Sequence, residues 1–267
     1  MRGIYRILGD LKRRLIWYLE AKNEINSIDK KNKTIKNNLE GKILILIPHP
    51  DDEWIGCSTL IKENEAILVY MNQSGDDSAE IKTKREKELQ KIAKKYNKIL
   101  KSIVSSEELY RIIEEYKPNF VAVPAYVDWH REHHAVMDIL KKALLNIEFK
   151  IKILMYQVSV PMPPFVISHC LPLSKKEWKN KWNEFRDIYK TQKDFPVVRT
   201  ARNEYINGAL VESYAAEAFS ILESEKWIES IELFRNEIEF EKIFQYINDI
   251  HTIRCISEKL YEKSLIK

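Results

Sequence analysis

Two groups of histidine and carboxylate residues in the sequence have the composition of a metal site. Residues 48–53 read PHPDDE and residues 128–134 read DWHREHH, and together they hold four of the six histidines of the chain. Imidazole and carboxylate ligands without a thiolate suit zinc, and iron(II), manganese and cobalt accept the same donors. We therefore expect one divalent metal site built from both segments.

A metal at such a site would support hydrolysis. Three protein ligands with an open position for water are typical of catalytic zinc, and the bound water is acidic enough to supply hydroxide near neutral pH. Asp51 and Asp52 are adjacent, so one carboxylate can bind the metal while the other accepts a proton from that water. His130 and His133 are three residues apart, and a histidine that does not bind the metal can stabilise an oxyanion or protonate a leaving amine.

Each segment also has a purely structural interpretation. An HxxH pair such as His130 and His133 is weakly specific, and a His-Pro-Asp-Asp sequence can be a polar turn in which Asp caps the next helix. Each segment comes just after a predicted buried strand, and this shared position favours the metal site.

The strands and helices predicted around the two segments would bring them together. Residues 42–47 (KILILI) and 120–123 (FVAV) are apolar runs typical of strands buried on both faces of a parallel sheet. Strands alternate with helices up to residue 158, which predicts an α/β fold with a Rossmann-like, mostly parallel sheet and helices on both faces. Ligands of such sheets bind beyond the carboxyl ends of the strands, where both segments lie.

The remainder of the chain is predicted to add helices at both ends of this fold. Residues 22–39 are polar and rich in Lys and Asn, as in a solvated linker. We expect a long loop over residues 161–172. We expect mainly helical structure over residues 174–192, 200–223 and 225–264.

Residues 1–20 form a predicted basic amphipathic helix with two interpretations. Basic residues interrupt its apolar positions, so the stretch lacks the apolar centre of a signal peptide. Basic amphipathic helices bind anionic membrane surfaces, which would make the protein peripheral to a membrane. The alternative is a helix that packs on the domain or on a partner chain.

The composition is that of a globular cytoplasmic protein. The 267 residues include 44 basic and 40 acidic side chains, and the net charge of +4 is too small to indicate a nucleic-acid partner. Cys57, Cys170 and Cys255 are far apart and form no CxxC pair, which argues against disulfides and against a thiolate zinc site. No apolar run approaches the roughly 20 residues that span a bilayer. We therefore expect a reduced, cytoplasmic setting.

Residues 49–53 (HPDDE) together with residues 130–133 (HREH) resemble the PIG-L/LmbE family of zinc-dependent N-acetylglucosamine deacetylases. In that family an (A/P)HPDD(E) motif follows the first strand, and an HxDH-type motif comes later. Glu132 departs from the pattern, which has Asp before the final histidine, and a longer carboxylate that orients a histidine would alter the geometry. His134 adds an imidazole beside the motif, but the spacing favours His133.

The resemblance implies a role for each residue of the site. His49, Asp52 and His133 would bind the metal, with Zn²⁺ as the first expectation and Fe²⁺ or another divalent ion as alternatives. Asp51 would be the general base for the metal-activated water. His130 would stabilise the oxyanion or assist the departure of the amine.

Three shorter elements also resemble the family, in the same order along the chain. Arg85 and Glu88 fit an Arg-x-x-Glu pattern, and the resemblance implies that Arg85 contacts sugar hydroxyl groups. The alternative for Arg85 is an exposed charge on a charged helix. Residues 189–192 (YKTQ) resemble a Tyr-x-Ser-Gln element, and residues 216–219 (AEAF) resemble an Ala-Glu-x-Phe element. The resemblance covers roughly residues 42–220.

These implications give a predicted organisation and function. We expect an N-terminal helix and linker at residues 1–40, a PIG-L/LmbE-like deacetylase domain at residues 41–222 and a C-terminal helical extension at residues 223–267. The predicted activity is metal-dependent removal of the acetyl group from an N-acetylated sugar of the N-acetylglucosamine type, or from its conjugate. That small molecule is the expected partner, and the oligomeric state is left open.

Other functions fit part of the same pattern. The metal chemistry would equally serve an amidase that acts on a thiol-conjugated glycoside or on a lipid-linked sugar. A non-catalytic metal-binding module would need only the ligands. A nucleotide-binding Rossmann-like protein is a further alternative, but PHPDDEWIG follows the first strand where such proteins have a GxGxxG turn.

Overall fold

A seven-stranded sheet forms the centre of the structure. Its strands are β1 (Ile43–Ile47), β2 (Ala66–Tyr70), β3 (Ile99–Ser102), β4 (Phe120–Pro124), β5 (Lys152–Tyr156), β6 (His169–Leu173) and β7 (Ala215–Glu223). Their order across the sheet is β3-β2-β1-β4-β5-β7-β6. The first five strands run parallel, whereas β7 is antiparallel to its neighbours β5 and β6. The predicted α/β fold with a mostly parallel sheet is confirmed.

Helices alternate with the parallel strands and continue after them. The computed structural model describes residues 2–28, 35–72, 77–193, 195–235, 240–244 and 247–265. The helices in these ranges are α1 (Arg2–Ser27), α2 (Asp52–Glu63), α3 (Ala79–Lys95), α4 (Ser106–Tyr116), α5 (Arg131–Leu144), α6 (Lys175–Ile188), α7 (Val197–Gly208), α8 (Ser224–Arg235), α9 (Phe240–Phe244) and α10 (Ile250–Leu265). Within the ranges described, every helix is too short or too polar to cross a membrane.

Alternate residues of β1 pack in opposite directions, as the two-residue period of a strand requires. Leu44 and Leu46 belong to a core layer that includes apolar residues of α4 and α5. Ile43, Ile45 and Ile47 belong to a second layer that includes apolar residues of α2, α3 and α6. Helices therefore cover both faces of the sheet, which explains the nearly continuous apolar sequence of this strand.

The C-terminal half of α1 packs on α7 and α10. The indole N–H of Trp17 donates a hydrogen bond to the carbonyl oxygen of Asn248 at 2.9 Å. The Glu24 carboxylate lies 3.2 Å from Nε of Arg254. The N-terminal and C-terminal helical additions therefore contact each other, on one face of α1.

Three predicted elements are wrong in whole or in part. Residues 22–27, predicted as part of a polar linker, continue α1, and residues 29–34 of that predicted linker lie outside the described residues. Residues 169–173 form the strand β6 where the sequence predicts a loop, and residues 215–223 form β7 where the sequence predicts a helix. The β7 sequence AAEAFSILE contains helix-favouring alanine and glutamate, but the strand gains its stability from pairing on both sides, so its environment outweighs its propensity. Pro172 is tolerated because β6 lies at the edge of the sheet.

Candidate metal centre

The two histidine-bearing segments meet at one edge of the sheet. Residues 48–53 follow the end of β1, and residues 128–134 follow the end of β4. β1 and β4 are adjacent and parallel, so their carboxyl ends point the same way. This is also where the strand order reverses direction, the position at which open α/β sheets bind ligands.

His49, Asp52 and His133 lie together around one carboxylate oxygen. Oδ2 of Asp52 is 3.2 Å from Nδ1 of His49 and 3.2 Å from Nε2 of His133. Among the described residues these three form a group whose potential ligand atoms all lie within 4.8 Å of one another. The structure therefore brings together the three side chains for which the family resemblance implies metal binding. Because they are the candidate ligands, we call these three residues the metal group.

The donor set suits a divalent cation. Two imidazoles and one carboxylate, with no thiolate, are ligands that zinc accepts. Nδ1 of His133 is buried without a hydrogen-bond partner and faces Oδ2 of Asp128 at 3.4 Å. A histidine that binds a metal through one ring nitrogen commonly has a carboxylate near the other nitrogen, which fixes the orientation of the ring. Asp128 is placed for that role.

The opposite charges of these histidines and carboxylates shift one another's pKa values. Burial lowers the pKa of His133, but the charges of Asp128 and Asp52 outweigh burial and raise that pKa to about 10. Burial also lowers the pKa of His49, and its hydrogen bonds to Asp52 and Glu132 raise the value to about 9. Burial opposes the ionised form of Asp52, and the two histidines hold its pKa well below the usual value. A cation bound here would replace the histidine protons.

Asp51 precedes α2 in an unusual backbone conformation. Its φ of 141° is positive, a region that residues with a side chain rarely adopt. The backbone N–H of Asp51 donates to Oε2 of Glu53 at 3.0 Å, and its own side chain does not cap the helix. The carboxylate is therefore available to face the cavity beside the metal group. Burial and the charge of Asp52 raise the pKa of Asp51, while Arg85 opposes the increase.

Arg85 is largely buried and paired with two carboxylates. Its Nη2 lies 3.4 Å from Oδ1 of Asp51, and its Nη1 lies 2.7 Å from Oδ2 of Asp77. The alternative of an exposed helix charge is therefore wrong for this residue. Arg85 lines a cavity of about 350 Å³ that also contains His49, Asp51 and His130.

His130 stands immediately before α5 and faces the same cavity. Its Nε2 accepts a hydrogen bond from the indole N–H of Trp129 at 2.8 Å and lies 3.1 Å from the Ser159 hydroxyl. Burial lowers the pKa of His130, and the charge of Asp128 opposes that decrease. The ring centroids of His130 and His133 are 4.8 Å apart. His130 is thus next to the metal group, and its Nε2 is held by Trp129 and Ser159.

The segment of chain that builds this site matches a known family. Residues 44–144 match the family described as PIG-L: GlcNAc-PI de-N-acetylase. This range contains the six predicted site residues, which are His49, Asp51, Asp52, Arg85, His130 and His133. We call residues 44–144, the range of this match, the PIG-L segment. The predicted resemblance to the PIG-L/LmbE family is confirmed over this range, and the match supports N-deacetylase chemistry.

Solved structures with a similar fold extend the comparison beyond this segment. The conserved protein TT1542 from Thermus thermophilus has a TM-score of 0.53 and 16% identity, over 67% of this chain and 93% of that chain. A triple mutant of a deacetylase involved in the teicoplanin biosynthetic pathway has a TM-score of 0.50 and 12% identity, over 68% of this chain and 98% of that chain. At these identities the likeness shows the fold alone. The curated proteins include no match to this sequence.

Two carboxylates of the PIG-L segment contact histidines of the candidate site. The sequence analysis assigns no role to Asp128, although it belongs to the second histidine-bearing segment. Its Oδ1 accepts a hydrogen bond from the backbone N–H of His130 at 3.0 Å. Oε2 of Glu132, the residue that departs from the family pattern, lies 3.6 Å from Nε2 of His49. Its interaction with that ring lowers the pKa of Glu132 to about 2. Nε2 of His134 lies 2.8 Å from the carbonyl oxygen of Asp128, outside the metal group.

The three shorter motifs contact the PIG-L segment or lie in it. Thr191 donates to Glu88 from its backbone N–H at 3.1 Å and from its hydroxyl at 2.6 Å. The hydroxyl of Tyr189 donates to Glu53, which in turn holds the backbone of Asp51. The Tyr-x-Ser-Gln-like element therefore supports the turn that carries the predicted base, by contacts between distant parts of the sequence.

Glu217 of the third motif lies beneath a break in α2. The helix has non-helical angles at Cys57 (φ −134°, ψ 21°). The backbone N–H of Thr59 donates to Glu217 at 3.0 Å, so Glu217 caps the second half of the helix. Lys181 donates to the carbonyl oxygen of Ile55 at 2.7 Å and to Glu217 at 2.6 Å. The broken helix that begins at Asp52 is thus held at its break by a buried ion pair.

Proposed function

We propose that the protein is a metal-dependent N-deacetylase that removes the acetyl group from an N-acetylated sugar or its conjugate. The proposal rests on the group formed by His49, Asp52 and His133, next to the Asp51 carboxylate and an open cavity. The same residues lie in the segment that matches a de-N-acetylase family. We assign the three ligands to Zn²⁺, with Fe²⁺ or another divalent ion as alternatives.

The reaction would exchange a C–N bond for a C–O bond. A divalent cation held by the three ligands would supply Lewis acidity, polarising the acetamide carbonyl and making a water more acidic. Asp51 would accept a proton from the attacking water, and that proton would reach the departing amine. Acetate and a free amino sugar would be the products. Arg85 would keep the Asp51 carboxylate oriented toward the cavity through the ion pair at 3.4 Å.

The hydrogen bonds of His130 favour one of its two predicted roles. Its Nε2 accepts from Trp129, so in the neutral ring the proton is on Nδ1. A neutral imidazole with an Nδ1–H group can donate a hydrogen bond to a developing negative charge. We therefore propose that His130 stabilises the oxyanion, and that the proton for the amine comes from Asp51.

The cavity supports a substrate with a small polar group at the reacting end. Its volume of about 350 Å³ is at the lower end of the range for small-molecule sites. Asp77, Arg85 and Gln192 line it and offer hydrogen bonds of both kinds. A single amino-sugar ring matches this size and polarity, and we propose that Arg85 contacts its hydroxyl groups.

We also propose that residues 41–222 form the deacetylase domain. This range contains the whole sheet except the last residue of β7. Residues 1–40 and 223–267 would then be additions that contact each other through α1 and α10.

Elemental analysis combined with an acetate-release assay tests the proposal. Purified protein would be analysed for bound metal and then incubated with N-acetylglucosamine, a lipid-linked N-acetylglucosamine and N-acetyl-lysine, which is an acetamide without a sugar. We expect bound divalent metal and acetate release from a sugar substrate only. Bound metal without acetate release from any substrate would favour a non-catalytic metal-binding module. Absence of metal from protein purified without chelator, with no uptake on addition of zinc, would overturn the assignment.

A further inference from the structure

We propose that α1 binds the surface of an anionic membrane through a row of leucines, which is an interaction beyond the proposed deacetylase function. The row consists of Leu11, Leu15 and Leu19, and we call it the leucine stripe. Lys12 lies at the edge of the stripe, and Arg13 follows it on the opposite side of the helix. Among the described residues, the stripe has no packing partner in the chain that would bury it.

The leucine stripe is unusually exposed for apolar side chains. Leu11 and Leu15 are each 58% exposed, and Leu19 is 51% exposed. Together with Ile16, they account for four of the ten large apolar side chains that are exposed in the described part of the chain. A concentration of exposed apolar residues on one helix marks a binding surface more often than single exposed residues do.

The stripe lies on the side of α1 opposite the face that packs on the protein. Trp17, Ala21 and Ile25 form the packed face, with Ala21 completely buried. Leu15 is two residues before Trp17, and Leu19 is two residues before Ala21. At 3.6 residues per turn, each leucine is therefore about 200° around the helix from the packed residue that follows it. The packing that attaches α1 to the protein therefore leaves the leucine stripe free to bind something else.

The charge around the stripe favours an anionic lipid surface over a second copy of the chain. Residues 2–19 contain five basic residues and one acidic residue, Asp10. Two such helices side by side would repel each other, whereas an anionic membrane attracts each basic residue. The helix would lie in the interface, with the leucines between the lipid headgroups and Lys12 near the phosphates, while Arg13 adds to the positive charge on the side away from the lipid.

Vesicle sedimentation of the full-length protein tests this inference. The vesicles would be phosphatidylcholine alone, and phosphatidylcholine mixed equally with phosphatidylglycerol. We expect binding to the mixed vesicles that weakens at high salt, because salt screens surface charges. Replacing the stripe (Leu11→Ser, Leu15→Ser and Leu19→Ser together) should reduce the partition coefficient by about tenfold or more. Lys12→Gln with Arg13→Gln should reduce it by a similar factor.

A matched control changes equally exposed apolar residues elsewhere. Val104 is 61% exposed and Leu145 is 70% exposed, and neither is on α1. Val104→Ser with Leu145→Ser should bind the vesicles like the unchanged protein, and circular dichroism should show that all variants are folded. The inference is overturned if the stripe variant binds as well as the control. It is also overturned if no form binds vesicles and the stripe variant instead abolishes a dimer seen by light scattering, since the surface would then join two copies.

Discussion

The backbone of Asp51, the proposed base, is held by contacts that do not use its own carboxylate. Its backbone is in the positive-φ region, and the Glu53 carboxylate accepts a hydrogen bond from its N–H. Strained backbone of this kind persists only where surrounding contacts enforce it, and it is enriched at active sites. Tyr189 enforces it here by donating to Glu53.

Asp51→Asn should therefore separate catalysis from metal binding. The amide keeps the shape of the side chain but cannot accept the proton, so we expect kcat to fall by about 10²- to 10⁴-fold. Metal content should remain equal to that of the unchanged protein, because Asp51 is not one of the three proposed ligands. Steady-state acetate release and elemental analysis measure the two effects. A variant with full activity would exclude Asp51 as the base.

Asp128 contacts both His133 and His130. It lies 3.4 Å from Nδ1 of His133 and accepts from the His130 backbone N–H. We expect Asp128→Asn to weaken zinc binding by about 10- to 100-fold, as for other carboxylates that orient a metal-binding histidine. Competition with a chromophoric chelator measures the affinity. Glu115→Gln, on the exposed side of α4, is the control and should bind zinc normally; equal affinity in the Asp128 variant would contradict the role.

At the scale of elements, the break in α2 depends on charges that are completely buried. Lys181 is fully buried between Glu204 and Glu217 and also binds the carbonyl oxygen of Ile55. A buried charge without a partner lowers the stability of the fold, whereas in the intact group the opposite charges compensate each other. The turn at residues 48–53, which leads into α2, therefore depends on Glu217 of β7 and on Lys181 of α6.

Lys181→Met should leave two buried carboxylates without their cation. We expect the free energy of unfolding to fall by about 3–5 kcal/mol, measured by urea denaturation. Lys179→Met changes an exposed lysine on the same helix and should change stability by no more than about 0.5 kcal/mol. Equal stability of the two variants would show that the buried ion pair is not needed.

The elements that could be predicted from the sequence are those with a local signature. β1 and β4 are continuous apolar runs, and each is followed within ten residues by candidate metal ligands, so the meeting of both segments could be anticipated. β7 could not, because its alanines and glutamate take strand form only through pairing with β5 and β6. Ser159 illustrates the same limit within the site, since an isolated serine becomes a neighbour of His130 only after the chain folds.

For the whole molecule, metal binding and protonation should oppose each other. His49 and His133 have pKa values raised to about 9 and about 10, so both hold protons at neutral pH in the metal-free protein. Their ion pairs stabilise the metal-free fold fully below the unfolded histidine value near 6.5, and this contribution is lost as pH rises through about 9 to 10. Zinc must displace these protons, so its affinity should increase with pH.

Thermal unfolding with and without zinc measures this competition. A free zinc concentration of one hundred times Kd should stabilise the fold by about 2.7 kcal/mol. At a fixed zinc concentration, we expect the increase in melting temperature to be larger at pH about 8 than at pH about 6, because fewer histidine protons compete. His133→Ala should remove the increase at both pH values, and an increase that persisted in this variant would place the metal elsewhere.

β7 lies between β5 and β6 in the sheet but is synthesised after both of them. Within the described residues, β6 joins the sheet only through β7, which is made more than 40 residues later and must enter between two strands already synthesised. During translation, β5 therefore remains an open edge until residue 223 has left the ribosome. Such an edge can pair with strands of other chains. A nascent chain that stalls before β7 should consequently be much more prone to aggregation than one that stalls just after it.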